Sequence, residues 1–167
     1  MESIAARAGV AVGTLYNHFV DREALVNALF DAFRERMGER IDKAAAVHAR
    51  EPFRVQLEGF VREVIAAAVP TLHVRMMLVQ SNRVHQRRRT ELREWLAGRI
   101  ETVLQEGRRA GEVCDDPDRV QPMLLLGMLH STVALAQDGP QRLSPDRLSA
   151  IVTDVFLNGV SPGGRRK

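Results

Sequence analysis

The sequence predicts an all-α protein, and three observations carry that expectation. Apolar residues recur at helical spacing nearly throughout the 167 residues, with no convincing run of period-two alternation. Gly9, Pro70 and Gly111 stand where periodic segments end, as helix-terminating residues should. Apolar residues make up 45% of the chain, a globular proportion that excludes a disordered one.

The elements follow in order. Ile4, Ala5 and Ala8 share one side of a short helix over residues 2–8, and Gly9 ends it because glycine reaches a left-handed backbone without strain. A second short helix covers residues 12–18. Asp21 is a good N-cap for a third helix, with Glu23 favourable in its first turn. That helix runs through Leu25, Leu29, Phe33, Met37 and Ile41 towards His48. Pro52 suits the first turn of a fourth, whose stripe is Phe53, Leu57, Phe60, Val61, Val64, Ile65 and Ala68. Pro70 stops it, and Thr71 can cap a shorter helix over residues 72–82. Arg87, Arg88 and Arg89 then open a helix with the stripe Leu92, Trp95, Leu96, Ile100, Val103 and Leu104, which Gly111 closes. Asp115, Asp116, Pro117 and Asp118 form a loop, and Pro122 implies a kink or a late helix start. The next helix, to about residue 136, is apolar nearly all round. The last, over residues 145–159, is apolar on a second side through Leu157 and Val160.

A helix without a polar face must be covered on both sides. A chain this small covers two such helices best with a second copy of itself, so residues 122–137 and 145–160 are expected to form a homodimer interface. The segment from Ser161 to Lys167 reads as a disordered basic tail.

Charge and cysteine content narrow the classes. The formal net charge is +3. Residues 1–30 carry −1, residues 83–93 carry +4, and residues 101–118 carry −4. Arg165, Arg166 and Lys167 supply the whole excess, so net charge is no argument for nucleic acid. One cysteine, Cys114, allows no internal disulfide and no thiolate metal cage. No apolar run approaches the roughly 18 residues of a membrane span, and the N-terminus lacks a signal-peptide layout. The expectation is a cytoplasmic protein that does not engage membranes.

The first two helices and their glycine turn form a helix-turn-helix, whose second helix is shaped to enter the DNA major groove. Ile4, Ala8, Val10, Leu15 and Phe19 are spaced to pack the pair against Leu25. Gly13 allows close approach to a phosphate, and Thr14, Tyr16, Asn17 and His18 bring donors to the outer face. Tyr16 is the single tyrosine, and an exposed aromatic hydroxyl suits sugar, phosphate or a thymine methyl. His18 as a helix cap and Asn17 as a solvated residue are the plainer alternatives.

The segment Ile4-Ala5-Ala6-Arg7-Ala8-Gly9-Val10-Ala11-Val12-Gly13-Thr14-Leu15-Tyr16-Asn17-His18-Phe19, followed by Arg22-Glu23-Ala24-Leu25, closely resembles the TetR family of transcriptional regulators. The resemblance implies that Gly13, Thr14, Tyr16, Asn17, His18 and Arg22 touch operator DNA, with Arg22 on phosphate where the family usually has lysine. Val12 stands where a base-reading polar residue is often found. It also implies a first helix ahead of Ile4, absent from this sequence, so that residues 1–30 are expected to be an incomplete DNA-binding domain. Late assignment of the start, truncation and a degenerate member all account for this. Residues 31–160 are then expected to be a ligand-binding and dimerisation domain, and 161–167 the tail. The resemblance further implies repression relieved by a small molecule that alters the separation of the two recognition helices, which must match half-sites about 34–36 Å apart or a multiple of it.

Candidate ligand contacts are Met76, Met77, Gln80, Trp95, Met123 and His130, each also readable as core. The arginine run reads chiefly as a solvated helix start, with a second basic site for acidic ligands or DNA as the sharper alternative. No paired histidines at ligand spacing and no phosphate-binding glycine loop are present, so neither catalysis, nor a metal, nor a cofactor is expected. The contrasting reading is a helical dimer that binds a small molecule or a protein without DNA.

Overall fold

The computed structural model describes residues 1–69, 83–138 and 143–160. Among the described residues there are seven helices and no strand: α1 Glu2–Ala8, α2 Val12–His18, α3 Arg22–His48, α4 Phe53–Ala68, α5 Arg83–Arg109, α6 Gln121–Asp138 and α7 Pro145–Val160. The helix expected over 72–82 and the tail 161–167 lie outside the described residues.

Local chemistry sets most boundaries. Gly9 adopts φ 68°, and the Val10 N–H donates back to the Ala5 carbonyl at 3.1 Å, closing α1. The Asp21 carboxylate accepts from the Ala24 N–H at 2.7 Å, capping α3. Asp116 accepts from the Val120 and Gln121 N–H groups at 2.9 and 2.8 Å. That cap opens α6 with Pro122 in its first turn, where a missing N–H costs nothing, so the proline marks a late start.

The arginine run lies elsewhere than its residue type suggests. No breaker separates Arg83 from Thr90, so α5 opens at Arg83 and the run falls in its second turn. The run itself is therefore clear of the first turn, where cations are most unfavourable. Arg87 pairs with Glu91 one turn ahead at 3.0 Å.

Helix α4 is the centre of the body. Leu57, Val61 and Ile65 are fully enclosed, and α3, α5, α6 and α7 all pack around α4. The enclosing side chains include Ile100 and Leu104 from α5, Leu125 and Leu129 from α6, and Val152 and Phe156 from α7. Close crossings set the positions of two glycines. A Cβ at Gly59 would lie 2.8 Å from Cδ2 of His48, and one at Gly107 would lie 2.5 Å from Cζ of Phe53.

Helices α6 and α7 each bury one side and leave the other bare. Leu125, Leu126, Leu129 and Val133 face inward on α6, whereas Leu124 is 55% and Leu135 64% exposed. On α7, Leu148, Val152 and Phe156 face inward and Val155 is 58% exposed, beside exposed Ile151. Each of the two helices thus carries large apolar side chains on both its buried and its exposed side.

Candidate nucleic-acid interface and ligand cavity

The N-terminal pair α1 and α2 is held by a small apolar seam. Ala5 is buried between the helices, Ile4, Leu15 and Phe19 are half-buried, and the Phe19 N–H donates to the Leu15 carbonyl at 2.8 Å to end α2. Leu25 and Val26, in the first turns of α3, are buried as well. The outer surface of α2 is polar. Gly13, Thr14, Asn17 and His18 are exposed, Tyr16 is 53% exposed, and Arg22 is exposed at the opening of α3. All six residues expected to meet DNA therefore lie on the outside of this unit.

Gly13 has nothing within 4 Å of the position a Cβ would take, and its backbone needs no positive φ. Internal packing therefore gives no reason for glycine there. The His18 and Phe19 rings are tilted with centroids 6.3 Å apart.

A cavity of about 470 Å³ opens in the body between α3, α4, α5 and α6. Phe33 and Met37 of α3, Val64 and Ala68 of α4, Leu92 and Leu96 of α5, and Leu126, Leu129 and Val133 of α6 make its apolar wall. Its polar wall is mostly one stripe of α5: Gln86, Arg89, Thr90 and Arg93, at helical spacing, with His130 of α6 also on the lining. The cavity is thus apolar on three helices and cationic along part of the fourth.

Ion pairing distinguishes these arginines from their neighbours. Arg87 and Arg88 both meet Glu91, and Arg99 meets Asp42 at 2.6 Å. Among the described residues neither Arg89 nor Arg93 has an acidic partner. Register explains the difference. Glu91 lies four residues beyond Arg87, whereas no acid stands three or four residues from Arg89 or Arg93. Helix register was the one signal in the sequence that separates Arg89 from Arg87.

Of the candidate ligand contacts, His130 lines the cavity. Trp95 and Met123 do not: Trp95 lies in the seam between α5 and α3, and Met123 is exposed at the start of α6. A Cβ at Gly38 would meet the Trp95 ring at 3.6 Å, and the Arg99 guanidinium lies 5.7 Å from its centroid. Met76, Met77 and Gln80 fall outside the described residues. Arg89 was marked only as part of the arginine run, and Phe33, Met37, Gln86, Thr90 and Arg93 were not among the candidates, because a cavity wall drawn from four helices has no signature in any one of them.

Among the described residues no group of three His, Cys, Asp or Glu side chains could hold a metal ion, and no helix is long and apolar enough to cross a membrane.

Residues 1–29 match the profile of the family described as bacterial regulatory proteins, tetR family. Over 165 residues the chain is 26% identical to the fatty acid metabolism regulator protein of Bacillus subtilis (strain 168), covering 96% of this chain and 84% of that one. Two solved structures share the fold. The fatty acid degradation regulator FadR from Bacillus halodurans superposes with a TM-score of 0.76 at 22% identity, over 99% of this chain and 86% of that chain. The transcriptional regulator FadR from Bacillus subtilis, solved in complex with stearoyl-CoA, superposes with a TM-score of 0.75 at 23% identity, over 95% and 87%. In its N-terminal helix-turn-helix and in its helical body, this chain is thus similar to the TetR family of bacterial regulatory proteins.

Proposed function

We propose that this chain is a dimeric repressor whose α2 reads operator DNA and whose operator is released when a long-chain acyl-CoA enters the cavity between α3, α4, α5 and α6. The single observation that carries the ligand class is the pair Arg89 and Arg93. Two guanidinium groups without acidic partners among the described residues, on the wall of an apolar cavity, suit a molecule with a long hydrocarbon chain and an anionic head. The likeness to a regulator solved with stearoyl-CoA supports the same class.

On the DNA side, Thr14, Tyr16, Asn17 and His18 supply outward donors and Arg22 a phosphate contact. Gly13 leaves the backbone free to approach the sugar–phosphate chain. The bare sides of α6 and α7, with Leu124, Leu135, Ile151 and Val155, form the surface on which a second copy docks, and dimer geometry sets the spacing of the two α2 helices.

Titration of the chain with stearoyl-CoA tests the ligand class, read through the fluorescence of the single tryptophan Trp95 and by calorimetry. Saturable binding at micromolar or lower concentration, with coenzyme A alone binding at least tenfold more weakly, is the expected result. Equal binding of the two, or no binding of stearoyl-CoA, would sink the assignment.

A further inference from the structure

Helices α3 and α5 run in the same direction and are joined at two places on either side of the cavity lining. Towards the recognition unit, the Arg88 Nε donates to the Asn27 side-chain oxygen at 3.0 Å, and an Arg88 terminal nitrogen lies 3.5 Å from the Asp31 carboxylate. Towards the far end, Arg99 donates to Asp42 at 2.6 Å beside the Trp95–Gly38 contact. Phe33 and Met37, the cavity residues of α3, lie between these two ties.

Adjacent residues of α5 therefore face different ways. Arg89 and Arg93 face the cavity, whereas Arg88 reaches α3 within two turns of its start at Arg22. Arg88 is 29% exposed, and its bond to Asn27 is partly screened from water, whereas the Arg87 side chain is 84% exposed. A helix displaces its side chains together, because the backbone ladder between Arg88 and Arg93 does not stretch by ångströms.

We propose that Arg88 is the positioning residue that couples cavity occupancy to the recognition unit. This rests on the cavity being the effector site. An anionic head drawing Arg89 and Arg93 moves the start of α5, and Arg88 transmits that movement to Asn27 and Asp31. Meanwhile a chain lying against Phe33 and Met37 bears on the same segment of α3. The Arg99–Asp42 tie serves as the fixed end, so α3 pivots and its N-terminal turns, with α2 ahead of them, change position. Coupling of this kind changes the equilibrium between two placements of α3 by as much as the ligand distinguishes them.

The test uses the full chain carrying Cys114→Ser, with nitroxide labels on cysteines introduced at Glu23 and Gln105, both exposed positions. The label-to-label distance distribution is recorded with and without stearoyl-CoA, and binding is measured separately by calorimetry. In the parent, ligand shifts the distribution. In Arg88→Gln and in Asn27→Ala the shift falls to less than half while stearoyl-CoA still binds within threefold of the parent. Asn27→Asp, which keeps an acceptor for Arg88, restores the shift. A full shift in Arg88→Gln, or no shift in a parent that binds, overturns the coupling role alone. Absence of stearoyl-CoA binding in the parent overturns the ligand class and the coupling with it.

Discussion

Arg89 and Arg93 stand four residues apart on the same face of α5, and both line an apolar cavity without an acidic partner among the described residues. Like charges at this spacing repel by a few tenths of a kcal/mol on an isolated helix. Nothing in the described fold offsets that repulsion. The arrangement is therefore better suited to holding an anion than to stabilising the chain.

Removing either guanidinium should weaken stearoyl-CoA without unfolding the protein. A charge-assisted hydrogen bond contributes about 1.5–3 kcal/mol, so Arg89→Ala and Arg93→Ala should each lower affinity by about tenfold or more. Calorimetric titration of folded variants checks this, and unchanged affinity in both would move the head group elsewhere.

The DNA-reading surface can be separated from folding because its side chains bury little. Tyr16→Ala should weaken binding to an operator selected from random duplex by about tenfold or more, with the dimer and the melting temperature unchanged. Arg22→Ala should weaken binding to all sequences alike and reduce the salt slope by about 1. Gel-shift titrations at several salt concentrations measure both.

The bare sides of α6 and α7 make a further prediction. Leu124→Glu with Val155→Glu places two charges on the apolar surface and should leave a folded monomer, since both side chains already face outward. Sedimentation of the variant at micromolar concentration decides the matter. An unaltered dimer would place the interface elsewhere.

Crowding at the α4–α5 crossing can be tested through one methyl group. Gly107→Ala sets a Cβ against both the Phe53 ring and Val113, and should cost about 1–3 kcal/mol. Urea unfolding monitored by circular dichroism gives the value. Gly13→Ala, with open space around it, should leave stability within about 0.5 kcal/mol while weakening DNA binding.

One acid is tuned by a neighbour two turns along the same helix, α5. Two hydrogen bonds from Arg108, at 2.9 and 3.2 Å, hold the Glu101 carboxyl below the usual carboxylate range against the opposing effect of burial. The depressed value means that Glu101 stabilises the folded chain above its unfolded pKa, and that this contribution fades as pH falls through the folded one. Glu101→Gln should lower stability at neutral pH and flatten the decline on the acid side. Melting temperatures of parent and variant from neutral pH down to about pH 3 would show the two curves converging.

Some of this was readable before any coordinates. The all-helical class, the ends of α1, α2 and α3 and the outward polar side of α2 follow from local rules, because periodicity, Gly9 and Asp21 act over one or two turns. The start of α5 did not follow, since Arg87, Arg88 and Arg89 look alike as residue types and no breaker marks Arg83. His130 could be singled out as a polar residue on an apolar helix, but Trp95 could not be told from a cavity residue until Gly38 appeared beneath it.

The sequence by itself determined the helix-turn-helix, its family resemblance and the polar side that α2 presents, because those depend on spacing within one short segment. Tertiary structure alone decided that Arg89 and Arg93 face a cavity while Arg88 grips α3. That cavity exists only where α3, α4, α5 and α6 meet. The direction a side chain takes there depends on partners such as Asn27, distant along the chain and adjacent only after packing.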